Sequence, residues 1–161
     1  LLFSKGWDKM AKQTFKATAN LQEGVKVLGK ARNFEVTIDE PKELGGTDTG
    51  MNPVELVLVA LGACQSIVAR IYADRFNINL EDFWVEVEGE LDPDGFMDKA
   101  DVRPGFSDIR YNFHIKTDAP KEQVEKFVQF IEEKCPVGDT IENAVNLSRN
   151  KIIIEPVKVT K

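Results

Sequence analysis

The chain has 161 residues, 42% of them hydrophobic, which is enough apolar material for one domain with its own core. Its formal net charge is -6, from 27 acidic and 21 basic side chains, so its average field repels a phosphate backbone or an anionic membrane surface. The longest apolar run, 56–64, is shorter than a bilayer-spanning segment, and no signal-peptide pattern precedes it. We therefore expect a cytoplasmic protein without nucleic-acid or membrane partners.

Residues 1–9 precede Met10, which with the next two residues is typical of a natural start. We interpret 1–9 as a leader, from an extended start or added for expression, and assign a single domain to 10–161. The two cysteines, Cys64 and Cys135, allow at most one internal bridge, which a chain of this size does not need for stability. Their chemistry is therefore of more interest than a structural role.

The first part of the domain predicts extended structure. Apolar and polar residues alternate in 14–39, which is typical of strands with one exposed face. Residues that favour turns occur at 22–24 and 29–33. The segment therefore predicts two or three strands.

A long helix follows a glycine-rich loop. Asn52 fits as its N-cap, Pro53 as its first residue and Glu55 as the partner in a capping box. The helical pattern continues to about Arg75, or roughly 35 Å at ~1.5 Å per residue, and its first half contains hardly any polar residue. A helix that is apolar on all sides is buried on all sides. We therefore expect a buried helix at the centre of the fold.

The second half of the chain mixes strands and helices. Residues 83–91 and 109–115 alternate like a pair of antiparallel strands, with an acidic loop between them. An amphipathic helix begins near Pro120 and directs Cys135, at its end, towards the interior. After Pro136 the pattern predicts a shorter helix over 140–149 and a final strand over 151–160. This order of elements predicts an α+β fold.

Two segments resemble the signature motifs of the OsmC/Ohr family, the osmotically inducible protein C-like and organic hydroperoxide resistance proteins. The first segment has Asn-Pro-Val-Glu-Leu at 52–56 and Ala-Leu-Gly-Ala-Cys at 60–64, and the second has Cys-Pro-Val at 135–137 with Thr140. The resemblance covers roughly 34–154. It implies an OsmC-like α+β fold in which antiparallel sheets wrap a long buried central helix, in an intertwined homodimer with its thiol sites near the subunit interface.

The resemblance also implies a chemistry. Cys64 attacks the O–O bond of an organic hydroperoxide as a thiolate, which releases an alcohol and leaves a sulfenic acid. Cys135 condenses with that sulfenic acid to a disulfide, and an external dithiol reduces it. The implied partners are a second copy of the chain, the hydroperoxide and the dithiol reductant. No cofactor and no metal are implied.

The sequence departs from the family at two positions, as members of its broader OsmC-like branch do. In the family an arginine on an N-terminal strand supports the thiolate, and the glutamate directly after the proline of the Asn-Pro motif holds it. Here Val54 follows the proline, and Glu55 comes one place later, about 100° further around the helix. The family arginine falls near Gln22, and we take Arg32 as the candidate. The alternatives are a capping-box residue for Glu55 and a solvated turn residue for Arg32.

Other residues offer weaker candidates. His114, the only histidine, lies on the polar face of a predicted strand and is interpreted as a surface residue. The aspartates of 92–101 lack the spacing of a calcium loop. Three hypotheses follow: a thiol peroxidase that uses Cys64 and Cys135, a non-catalytic dimer that binds a hydrophobic ligand at its interface, and a thiol-dependent hydrolase or acyl transferase. The last needs a positioned base, which the sequence does not offer.

Overall fold

The computed structural model describes residues 12–156, so the leader predicted at 1–9 lies outside the described residues. The chain divides into two compact units, and the boundary between Leu58 and Val59 falls within the long helix. The assignment of a single domain to 10–161 stays a prediction.

The first unit contains a three-stranded antiparallel sheet. Its strands are β1 (Thr18–Leu21), β2 (Val27–Ala31) and β3 (Phe34–Ile38), in the order β1-β2-β3. This confirms the predicted strands and the turn at 22–24. The second turn is shorter than the predicted 29–33, because Ala31 pairs with Phe34 and only two residues connect the strands.

A buried carboxylate organises the loop that follows β3. Asp39 is 1% exposed, and its Oδ2 accepts hydrogen bonds from the hydroxyl groups of Thr47 at 2.6 Å and Thr49 at 2.9 Å. The backbone N–H groups of both threonines donate to the same oxygen at 3.1 Å. These bonds, led by that from the Thr47 side chain, hold the pKa of Asp39 well below its usual range. The loop therefore has a defined conformation, which brings the chain to the next helix.

The long helix α1 (Pro53–Tyr72) begins as the sequence predicts. The backbone N–H of Glu55 donates to Asn52 Oδ1 at 2.9 Å, and the N–H of Asn52 donates to Glu55 Oε2 at 2.9 Å. This reciprocal pair is a capping box, which satisfies two backbone donors that a helix start leaves free. A 3-10 turn, Asp74–Phe76, follows the helix.

The prediction that α1 is buried on all sides is wrong for the single chain. One face is buried, and its residues are Leu61, Gly62, Gln65, Val68 and Ala69. The opposite side exposes a stripe at spacings of three and four residues: Val57, Ala60, Ile67 and Ile71, with the half-buried Cys64 among them. We call this set the α1 stripe.

By length and composition α1 is also apolar enough to cross a membrane, a test that interior helices of soluble proteins pass as well. This corrects the expectation from the run 56–64, because apolar residues continue after Gln65 and Ser66 and extend the segment over 20 residues.

The second unit contains a hairpin and a packed core. Strands β4 (Asp82–Glu90) and β5 (Asp108–Lys116) pair antiparallel over their full length, as predicted, and a short helix α2 (Pro93–Phe96) lies between them. Helix α1 comes close to β4, because a Cβ added at Gly62 would lie 3.3 Å from Val87 Cγ2. The fully buried core residues Phe127 and Ile131 come from the next helix.

The C-terminal elements differ from the predicted ones. Helix α3 (Lys121–Lys134) is confirmed, but the shorter helix α4 is Pro136–Glu142 instead of 140–149. The difference arises because proline ends one helix and is equally favourable as the first residue of another. Residues 151–156 are not the predicted strand, since a strand needs a hydrogen-bonded neighbour and none pairs with them within 12–156. The rest of that predicted strand, 157–160, lies outside the described residues.

Candidate active site

Cys135 stands at the junction of two helices. It is the C-cap of α3 and the N-cap of α4, in an extended backbone conformation that the following proline favours. Its side chain is 1% exposed, and the backbone N–H of Gly138 donates to its Sγ at 3.3 Å. The predicted inward orientation of Cys135 is therefore confirmed.

The second unit brings the two cysteines together, although 71 residues separate them in the sequence. Cys64 comes from the middle of α1, and both cysteines are free thiols. The Cys64 side chain lies near enough to Cys135 to raise the pKa of the Cys135 thiol. The fold therefore places the two thiols near each other, which residue spacing alone did not establish.

The surroundings of Cys135 favour its protonated form. Burial raises the pKa of the Cys135 thiol, the nearby Cys64 side chain raises it further, and the Gly138 amide lowers it.

A cavity of about 420 Å³ opens beside Cys135. Its lining is Leu61, Gln65, Ile109, Tyr111, Glu132, Glu133, Cys135, Gly138, Ile141 and Glu142. The aliphatic part of this wall comes from α1, β5 and α4. The site therefore offers a small ligand an apolar surface next to a thiol.

Three polar residues of this cavity were not identified from the sequence. Gln65 is 2% exposed, and its Oε1 has no hydrogen-bond partner in the described part of the chain. The Tyr111 hydroxyl donates to Glu132 Oε1 at 3.1 Å, and burial followed by this carboxylate raises the pKa of Tyr111 to about 12. In the sequence, only the polar Gln65 within the otherwise apolar face of α1 could have indicated this cavity.

The other two predicted site residues belong to the first unit. Arg32 lies in the β2–β3 turn with φ 54, and its guanidinium carbon is 4.9 Å from the centroid of the Phe34 ring. Glu55 makes the capping box with Asn52. These contacts agree with the alternative interpretations, a turn residue for Arg32 and a capping-box residue for Glu55. A role of either residue at the thiol site stays a prediction.

His114 is a surface residue, as expected. Its ring stacks on Trp84 with centroids 3.6 Å apart, and its Nε2 is 3.0 Å from Glu86 Oε2. It does not line the cavity beside Cys135. No group of three or more potential metal ligands occurs within residues 12–156. The aspartates after β4 therefore form no such group either.

The protein is thus an α+β dithiol protein: two free thiols lie near each other, and Cys135 lines a partly apolar cavity. Residues 46–149 match the sequence profile of the family described as OsmC-like protein, and the chain belongs to this family. The predicted membership in the OsmC/Ohr family is thereby confirmed.

Individual relatives agree with this assignment. The chain is 25% identical over 134 residues to a protein named hydroperoxide reductase from Mycoplasma genitalium, a match that covers 83% of this chain and 90% of the relative. The crystal structure of an OsmC-like protein from Mycoplasma pneumoniae superposes with a TM-score of 0.73 at 22% identity, over 83% of this chain and 91% of that one. An organic hydroperoxide resistance protein from Legionella pneumophila has a TM-score of 0.62 at 26% identity, over 82% and 91%. These comparisons confirm the OsmC/Ohr fold.

Proposed function

We propose that the protein is a thiol peroxidase that reduces organic hydroperoxides. The observation that carries the proposal is the proximity of Cys64 to Cys135, which lines the cavity. The names of the hydroperoxide reductase and organic hydroperoxide resistance relatives support the same reaction. Free thiols also suit a reducing compartment such as the cytoplasm.

The reaction begins with Cys64 as a thiolate, the form of cysteine that acts as a nucleophile. The Cys64 sulfur attacks the terminal oxygen of the hydroperoxide and the O–O bond breaks. The departing alkoxide takes up a proton to become an alcohol, and the sulfur becomes a sulfenic acid. The sulfur has lost two electrons and the peroxide has gained them.

The second step uses the thiol that burial has kept protonated. The Cys135 sulfur attacks the sulfur of the sulfenic acid, the S–OH bond breaks, and the hydroxide leaves with the Cys135 proton as water. A dithiol then reduces the disulfide by two exchange reactions and is itself oxidised to a disulfide. Arg32 and Glu55 remain the candidates for supporting the thiolate.

A homodimer is part of the proposal. The α1 stripe exposes aliphatic side chains, Ile67 at 60% and Ile71 at 50%, and its spacing is that of helices packing side by side. Cys64 lies in this stripe, so a second copy packed on it would close the open side of the thiol site. The same packing would cover the surface that makes α1 resemble a membrane span.

The decisive test treats the reduced protein with one equivalent of cumene hydroperoxide and measures its intact mass. We expect a loss of two hydrogens and a peptide that links Cys64 to Cys135. Cys64→Ser should consume no peroxide, whereas Cys135→Ser should consume one equivalent and stop at the sulfenic acid. An unchanged mass of the parent protein would contradict the proposal.

The second candidate function is a non-catalytic dimer that binds a hydrophobic ligand. The absence of an arginine at Gln22 and of a glutamate directly after Pro53 favours it. In that case both thiols would survive the peroxide treatment, and an apolar ligand would raise the melting temperature of Cys64→Ser and of the parent protein equally.

A further inference from the structure

Gly138 lies beside the Cys135 sulfur, in the first turn of α4. A Cβ atom added to Gly138 would lie 3.5 Å from Cys135 Sγ and 3.7 Å from Leu61 Cδ1. All three residues line the cavity beside Cys135. Because Cys135 is only 1% exposed, the space that this glycine leaves free is important for any molecule that is to touch the sulfur.

The two cysteines border different surfaces of the second unit. Among the described residues, the lining of the cavity includes Cys135 and does not include Cys64. Cys64 is half-buried and lies in the α1 stripe, which the proposed homodimer would cover. In a disulfide between the two, a reductant that enters the cavity would therefore meet Cys135 first.

The chemistry of thiol–disulfide exchange favours the same sulfur. The attacking thiolate binds to one sulfur of a disulfide and expels the other, and a thiol with a low pKa is expelled faster than one with a high pKa. Burial, followed by the nearby Cys64 side chain, raises the pKa of the Cys135 thiol. Cys135 is therefore a poor leaving group, and attack on its own sulfur, which expels Cys64, is favoured.

We infer that the dithiol reductant attacks the disulfide at the Cys135 sulfur, and that the missing side chain of Gly138 leaves the space for this attack. The inference rests on the proposed function and assigns the site of its reductive step. A thiolate of the dithiol bonds to the Cys135 sulfur, the bond between the two cysteines breaks, and Cys64 leaves as a thiolate.

The second thiol of the reductant completes the step. It loses its proton and attacks the reductant sulfur that is bound to Cys135, so that the dithiol becomes a disulfide. Cys135 is released and takes up a proton. The reaction thus returns Cys64 in the ionised form that attacks the next hydroperoxide.

Trapping the mixed disulfide tests the site of attack. Diamide forms the disulfide without any peroxide, and a brief treatment with limiting mercaptoethanol, a monothiol, opens it. Acid quenching, alkylation with N-ethylmaleimide and peptide mapping then locate both labels. We expect mercaptoethanol on Cys135 and maleimide on Cys64, on the order of tenfold more often than the reverse. Equal labelling, or mercaptoethanol mainly on Cys64, would overturn the inference.

Gly138→Ala tests the space beside the sulfur. The Gly138 backbone is outside the left-handed region and the added Cβ would make no contact closer than 3.4 Å, so the variant should fold. Reduction of its disulfide by dithiothreitol should be slower on the order of tenfold, but reduction by hydrosulfide, a much smaller nucleophile, by about twofold at most. A purely structural effect of the substitution would slow both reductants equally.

Gly105→Ala is the matched control. A Cβ atom there would come no closer than 3.7 Å to its nearest neighbour, and Gly105 does not line the cavity, so both reductants should act as on the parent protein. Equal slowing of both reductants by Gly138→Ala, or no slowing, would overturn the role of Gly138. Failure of cumene hydroperoxide to form the disulfide would instead overturn the proposed function, because the disulfide made with diamide still reports the site of attack.

Discussion

Gln65 places inside the second unit an amide oxygen that has no hydrogen-bond partner within residues 12–156, and its effect on stability can be measured. Methionine has a similar volume and no polar group that needs a partner, so Gln65→Met should raise the free energy of unfolding by about 1–2 kcal/mol. Urea unfolding checks the value. Gln129→Met, at an exposed position on α3, is the control and should gain nothing. A loss of stability in Gln65→Met would show that the amide is satisfied in solution.

Asp39 should make the stability of the protein depend on pH in the acid range. Its pKa in the folded state lies below that of the unfolded chain, so the carboxylate contributes stability that is fully present above about pH 4. This contribution is lost as the pH falls through the folded pKa. Asp39→Asn keeps one acceptor but not the charge, so it should lower the melting temperature by several degrees at neutral pH, and the difference should shrink in acid.

Melting curves of both proteins between about pH 7 and pH 3 test this prediction. Asp48→Asn, in the same loop with an exposed side chain, is the matched control and should melt like the parent protein. A difference between Asp39→Asn and the parent that stays constant down to the lowest pH would rule out the carboxylate as its source.

The partner or orientation of a single residue was predictable where a sequence motif or a helical pattern specifies it. The resemblance paired Cys64 with Cys135, and the periodicity of α3 directed Cys135 inwards. The hydrogen bonds of Asp39 and the cavity position of Tyr111 depend on side chains brought together by folding. Nothing in the local sequence specifies those contacts, so they could not be predicted from it.

Glu55 has two candidate roles, capping the start of α1 and supporting the thiol site. Glutamine can keep the capping box, because its side-chain oxygen still accepts from the Asn52 N–H. If Glu55 only caps α1, Glu55→Gln should leave both stability and peroxide consumption within experimental error. A rate loss of tenfold or more without loss of stability would instead assign Glu55 to the site.

Asn52→Ala is the complementary variant. It removes the side chain that accepts from the Glu55 N–H, and it should destabilise the protein by about 1 kcal/mol. Thermal unfolding of both variants therefore separates the capping contribution from any catalytic one.

Helices and strands were predicted best where residues close together in the sequence determine them. The start of α1 followed from its capping residues, and β4 and β5 from their alternation. At Cys135 one residue ends α3 and begins α4, and local patterns did not distinguish a proline that stops a helix from one that starts it. Residues 151–156 have a strand-like sequence, but pairing with a distant strand is not encoded in the segment itself.

At the scale of the whole molecule, the exposure of α1 determines the assembly that we expect. The sequence predicted a central helix, and the single chain buries only one side of it. Burying the α1 stripe against a second copy removes apolar area from water at about 25 cal/mol per Å², without any change in the chain. The proposed homodimer therefore reconciles the apolar sequence of α1 with its exposure in one chain.

Light scattering after gel filtration tests this assembly. The parent protein should have twice the mass of one chain, and Ile67→Glu should elute as a single chain because it places a charge in the centre of the stripe. Phe96→Glu, which changes another exposed apolar residue on α2, should leave the dimer intact. A parent protein with the mass of one chain would contradict the dimer. The proximity of Cys64 to Cys135 would remain, because both residues belong to the same unit of one chain.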